Sequence, residues 1–256
     1  MLSAAAVLAW AEHYYWPFLR LSALFLAAPV FGAASFPVRA RVILALAITV
    51  LVAPVLPQPP AIDVLGAEGM LVAGEQILVG LAMGFILQMA LSAAVMAGQT
   101  ISMTIGLGFA LSVDPQNGVQ VPVVSQFYVI LATLLFLAID GHLVLIETLV
   151  DSFHVLPVGA GQFSDNNFGL DIAILASRMF MNGLLLVLPA LTAVLLINLA
   201  FGVITRAAPQ LNIFAVGFPV TILAGFVFIF LSLPAVIPLL ERMFDSSLAA
   251  AFDVIR

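Results

Sequence analysis

The sequence has no cysteine and no lysine, and little charge of either sign. Without cysteine there are no disulfides, no thiolate catalysis and no Cys-ligated metal. The 256 residues are 8% charged and 64% hydrophobic, against about 25% and about 45–50% in a soluble domain, so a water-facing surface cannot be built from them. All seven basic residues are arginines scattered without a basic run, which leaves nucleic-acid binding without support. The net charge is −6, with most of the acid in two connecting regions. No Lys or Arg precedes Arg20, and Glu12 and His13 stand where a signal peptide needs positive charge. The first apolar segment is therefore expected to stay in the chain.

Catalytic signatures are missing as well. The chain carries no His-Glu-x-x-His metal motif, no Gly-x-Ser-x-Gly elbow, no Gly-x-Gly-Asp pair of facing carboxylates and no phosphate loop ending in Gly-Lys. His13, His142 and His154 are separated by long stretches. No enzymatic activity, no cofactor and no metal site are expected.

What is present is apolar sequence in six runs, at 17–34, 42–56, 69–97, 123–139, 172–201 and 214–240. Backbone in lipid must satisfy its own hydrogen bonds, and these runs are apolar on every face, so they are helices and not alternating barrel strands. The fold class is all-α, a polytopic membrane protein. Pro37 and Arg39 break the first pair of runs, and Pro54, Pro57, Pro59 and Pro60 end the second. Residues 106–122 form a long connection, 151–171 an acidic one and 206–212 a short polar turn. As a helix the second run reaches only about 22 Å, short of a hydrocarbon core of about 30 Å. Two architectures stand at this point: six tilted or kinked spans, or a mixture of spans and re-entrant hairpins buried in protein. With six spans, Arg39, Arg41 and Arg206 fall on one side, cytoplasmic by the positive-inside rule, and both termini fall outside. Arg178 and Arg242 depart from that rule.

The third run carries Gly80, Gly84, Gln88, Ser92 and Gln99 on one helical face. Gly80 and Gly84 let another backbone approach closely, and the polar members suit a contact with protein or a watery lumen. Met89, Met96 and Met103 follow a second face, either as ordinary packing or as a conformable seal. Glu75, then Arg20 and Asn198, are the ionisable or polar groups that a secondary transporter would use for coupling. Glu75 equally fits an acid favoured by a helix N-terminus. The connection GLGFALSVDPQNGVQVP runs from Gly106 to Pro122. Gly106, Gly108 and Gly118 permit sharp turns, Phe109, Leu111 and Val113 give it an apolar side, and its polar residues include Asp114 and Asn117, with Pro115 after the acid. It is either an apolar plug that excludes water and ions or a loop capped by an Asp-Pro turn.

Asn198 to Pro219, NLAFGVITRAAPQLNIFAVGFP, resembles the C-terminal signature of the FliR family of flagellar biosynthesis proteins, components of the type III secretion export gate. Arg206, Pro209, Gln210, Asn212 and Phe214 form the core of that match, followed by Gly217, Phe218 and Pro219. Further matches run in order along the chain: Arg20 to Arg41 with Pro29, Phe31, Pro37 and Arg39; then Gly74, Glu75, Gly80, Gly84, Gly98, Gln99, Gly106, Asp114, Pro115, Gln126 and Phe127; then Asp140-Gly141-His142, Ser152-Phe153 and Pro157. Injectisome subunits share the fold, but the Arg-Ala-Ala-Pro-Gln-x-Asn stretch is more similar to the flagellar branch.

The resemblance implies a single domain over residues 1–256, built of helical hairpins like a FliP joined to a FliQ. It implies an assembly of five FliP, four FliQ and one FliR in the bacterial inner membrane and flagellar basal body, with FlhB and FlhA as neighbours. Unfolded flagellar export substrates pass through that channel, and residues 106–122 correspond to the family's central plug loop, with Met103 near a methionine ring. A stand-alone transporter and a membrane scaffold without a conduction path are the competing expectations.

Overall fold

The computed structural model describes residues 4–33, 36–60, 62–64, 66–107, 122–159, 168–208, 210 and 213–254. Among them the chain forms seven α-helices and no strand. These are α1 (Ala4–Ala27), α2 (Val38–Val52), continued by a 3-10 turn over Ala53–Val55, α3 (Ala67–Thr104), α4 (Val123–Ala138), α5 (Gly141–Val155), α6 (Phe168–Ala207) and α7 (Ile213–Asp253). Four stretches are long and apolar enough to cross a membrane: Val38–Val55, Ala67–Thr104, Gly169–Ala207 and Val216–Asp253. Taken together across their break, α4 and α5 make a fifth.

Among the described residues seven helices stand where six were expected, and the additional one is α5. Its buried residues Gly141, Leu145, Leu149, Ser152 and Phe153 recur at helical spacing, while Glu147, Asp151 and His154 are exposed. An amphipathic helix of this kind contains no long continuous apolar run, and it lies between the end of the fourth run at 139 and the acidic connection 151–171, whose first residues it takes in. Asp140 separates it from α4 with a left-handed φ of 57°, a conformation that a short polar side chain tolerates. Its carbonyl accepts from the Leu143 and Val144 amides at 2.8 and 3.1 Å and so starts the new helix.

The second run also differs from expectation. Pro37, with φ −59°, sets up a helix that already includes Arg39 and Arg41. The resulting 18-residue stretch is about 27 Å long and qualifies as a span. The first helix starts well before residue 17 and stops at Ala27, two residues ahead of Pro29. Arg206, expected in a turn, occupies the last turn of α6.

The chain divides into two compact units, residues 1–89, 140–176 and 244–256, and residues 90–139 and 177–243. In the first, Trp16, Ile62 and Val72 form a buried cluster with Tyr15, Leu19, Val64 and Val158 against it. Helix α3 contributes residues 67–89 to the first unit and 90–104 to the second, and 61% of its apolar window is buried, against 17%, 22% and 28% for the other three spans. Its sequence explains this, because Gly80, Ala82, Gly84, Ala90, Ala93, Ala94, Ala97 and Gly98 let neighbours come close.

Candidate functional site

The segment on which most sequence expectations converge is the connection between α3 and α4, and the described residues define how both of its ends are held. Helix α3 ends in a Schellman motif. The Leu107 amide donates to the Ser102 carbonyl at 3.0 Å and the Gly106 amide to the Met103 carbonyl at 3.2 Å. Gly106 has φ +90°, which L side chains rarely adopt, and a Cβ there would lie 2.8 Å from Cδ1 of Phe218. The next carbonyl, Thr104, accepts from Nδ2 of Asn198 at 3.2 Å, and Oδ1 of Asn198 accepts from the Thr221 hydroxyl at 3.3 Å. Ile105 packs against Gly225, where a Cβ would lie 3.2 Å from the Ile105 Cβ.

At the other end, Pro122 caps α4 with φ −54°. Ser125, fully buried, donates to the Val95 carbonyl at 2.7 Å and stands against Gly98. A Cβ on Gly98 would lie 2.7 Å from the Ser125 amide nitrogen. Both ends of the connection are thus fastened to the last turns of α3. Beside the exit, Val123, Phe127, Phe226, Phe230 and Leu233 line an apolar groove of about 480 Å³ between α4 and α7.

A second polar constellation lies in the first unit. Arg20 is fully buried. Its Nε donates to Oε1 of Gln76 at 2.8 Å, Nη1 to Oγ of Ser152 at 2.8 Å and Nη2 to the Leu156 carbonyl at 3.0 Å. Its guanidinium carbon stands 3.8 Å from the centre of the Phe153 ring. Every one of these contacts is to a neutral group, so the arginine joins α1, α3 and α5 by fork geometry and stacking. The sequence singled out Arg20, Ser152 and Phe153 separately and missed Gln76, taking the neighbouring Glu75 instead. Glu75 is half-buried, and Gln76 is the residue turned into the core.

The Gly80–Gln99 stripe divides in the structure. Gly80 and Gly84 are buried against α1, where Cβ atoms would lie 2.9 Å from the Leu24 amide nitrogen and 2.8 Å from the Ala28 amide nitrogen. Gln88 and Ser92 are half-buried and Gln99 is exposed. Met89 is buried, Met96 half-buried and Met103 exposed. Arg39, Arg206, Gln210 and Pro219 are exposed and Gly217 is buried. Gly108, Phe109, Leu111, Val113, Asp114, Pro115, Asn117, Gly118, Pro209 and Asn212 lie outside the described residues, and Phe214 belongs to α7 without a described side chain.

Among the described residues the secondary structure is helical, with four membrane-capable stretches, or five if α4 and α5 count as one, the pattern of a polytopic membrane protein. Residues 11–247 match the model of the bacterial export proteins, family 1. The flagellar biosynthetic protein FliR of Escherichia coli (strain K12) is 40% identical over 248 residues, covering 97% of this chain and 94% of that protein. FliR of Pectobacterium carotovorum is 40% identical, covering 96% and 94%, and FliR of Bacillus subtilis (strain 168) is 30% identical, covering 89% and 88%. The chain belongs to the bacterial export proteins of family 1, within the group of flagellar FliR proteins.

Proposed function

We propose that the chain is a subunit of the flagellar protein-export gate and forms part of the channel through which unfolded flagellar proteins leave the cell. The family match over nearly the whole length carries this reading. The membrane-capable helices fit an inner-membrane position, and flagellar relatives favour the basal body over an injectisome. The finer reading is that the whole of residues 1–256 acts as one gate domain equivalent to a FliP joined to a FliQ. It sits as a single copy with five FliP and four FliQ, next to FlhB and FlhA, and is bathed in lipid where no partner covers it. Residues 106–122 are the plug, an apolar constriction that keeps ions out at rest and yields to a polypeptide. The subunit is a passive conduit without catalysis of its own. Side-chain contacts support the passive reading over a transporter: buried Arg20 and exposed Asn198, two of the three coupling candidates, are engaged with neutral groups of the chain itself.

The test is native mass spectrometry of gently extracted protein, co-expressed with its flagellar neighbours. One copy in a large hetero-oligomer is the expected result. A monomer or small homo-oligomer, with the other subunits present but unbound, would overturn it.

A further inference from the structure

We propose that Asn198 is a positioning residue that clamps the end of α3 to α6 and α7 and thereby fixes where the 106–122 connection starts. The consequence for ion leakage rests on the plug reading above; the clamp itself does not.

The last four carbonyls of a helix have no partner within it. In α3, the Leu107 and Gly106 amides take the carbonyls of Ser102 and Met103. The Thr104 carbonyl is the next in line, and it is taken by Asn198 from another helix. Thr104 is half-buried, and inside a bilayer a carbonyl left without a donor is costly. Asn198 is exposed on the apolar stretch Val194–Phe201 of α6, so in a bilayer its polar side chain has the same need. An amide resolves both at once, because it carries a donor and an acceptor on one short branch. The donor goes to Thr104 and the acceptor receives Thr221. An aspartate would present an oxygen to the carbonyl, and a leucine nothing.

Helix α7 meets this end of α3 along one face. Phe218, Thr221 and Gly225 are spaced by three and four residues and touch Gly106, Asn198 and Ile105 respectively. Movement of that face would therefore carry the start of the connection with it.

The experiment uses the complete export complex and four backgrounds of this subunit: parent, Asn198→Asp, Thr221→Val and Thr221→Ser. Because the chain has no cysteine, an Ile105→Cys/Gly225→Cys pair reports α3–α7 contact through its oxidative cross-linking yield. The clamp predicts lower yield with Asn198→Asp and with Thr221→Val, and the parent's yield with Thr221→Ser, which keeps the hydroxyl. Unchanged yield in the first two overturns the clamp, whatever happens to leakage. Without the cysteine pair, Asn198→Asp and Thr221→Val should raise resting ion leakage up to about five-fold, the population weight of one neutral hydrogen bond, and Thr221→Ser should not. A deletion within residues 109–118 serves as the reference. If the deletion leaks and Asn198→Asp does not, the positioning role is overturned. If cross-linking falls while even the deletion stays tight, the clamp stands and the plug reading fails.

Discussion

At the scale of single residues, Arg20 and Gly106 carry the sharpest expectations. Removing the Arg20 side chain takes the donor from the buried Gln76 amide oxygen and the part-buried Leu156 carbonyl and removes the stack on Phe153. Buried acceptors cost about 1–3 kcal/mol each when stranded, so Arg20→Ala should lose about 3 kcal/mol or more. Arg20→Lys restores the charge but not the planar fork and should recover little of it. Thermal unfolding of the purified protein in detergent measures both; a lysine variant as stable as the parent would refute the fork argument. Gly106→Ala introduces a side chain at φ +90° and against the Phe218 ring. The backbone part alone costs about 1 kcal/mol or more. Adding Phe218→Leu should return the steric part and leave the backbone part, and the double-mutant cycle separates them. A neutral Gly106→Ala would mean that α3 does not end as described.

Elements set the next scale. Helices α1 and α3 approach at Gly80 and Gly84 so closely that any Cβ meets α1 backbone, which cannot move aside as a flexible side chain can. Gly80→Val is therefore expected to be far more damaging than Gly74→Val, since Gly74 has open space around it. Comparing the yield and melting of the two variants checks this, and equal behaviour would remove the close contact from the account. The GxxxG pattern was legible in the sequence, but its partner was not. The same holds for α5. Its buried positions have a plain helical period, yet its charges mask it in any reading by continuous hydrophobicity. Helix α2 was underestimated because its first turn carries Arg39 and Arg41, which end an apolar run without ending a helix.

For the whole molecule, the exterior is apolar to an extent only lipid or protein partners can cover, with Leu196, Leu223, Phe230 and Leu231 each more than 60% exposed. Exposed arginines on such a chain mark where it meets something polar. Arg206 lies at the end of α6, and a charge buried there in an assembly would need a partner of opposite sign. Arg206→Ala should leave the melting of the isolated chain unchanged, because the residue is exposed in it, and should reduce the yield of the export complex and motility. Normal complex yield and swimming would refute an assembly role for Arg206.

The amino-acid sequence by itself determined the class of protein: scarce charge and long apolar runs leave only a helical membrane chain, and the ordered signature from Arg20 to Pro219 identifies the export family. These are properties of composition and of neighbours along the chain, where hydropathy and helical period operate. Tertiary structure alone decided which polar groups meet. Arg20 finds Gln76 and Ser152, 56 and 132 residues away, and Asn198 finds the Thr104 carbonyl 94 residues away. A polar group on an apolar helix is satisfied by whatever packing brings beside it, and that choice belongs to the folded helices and not to any local stretch of sequence.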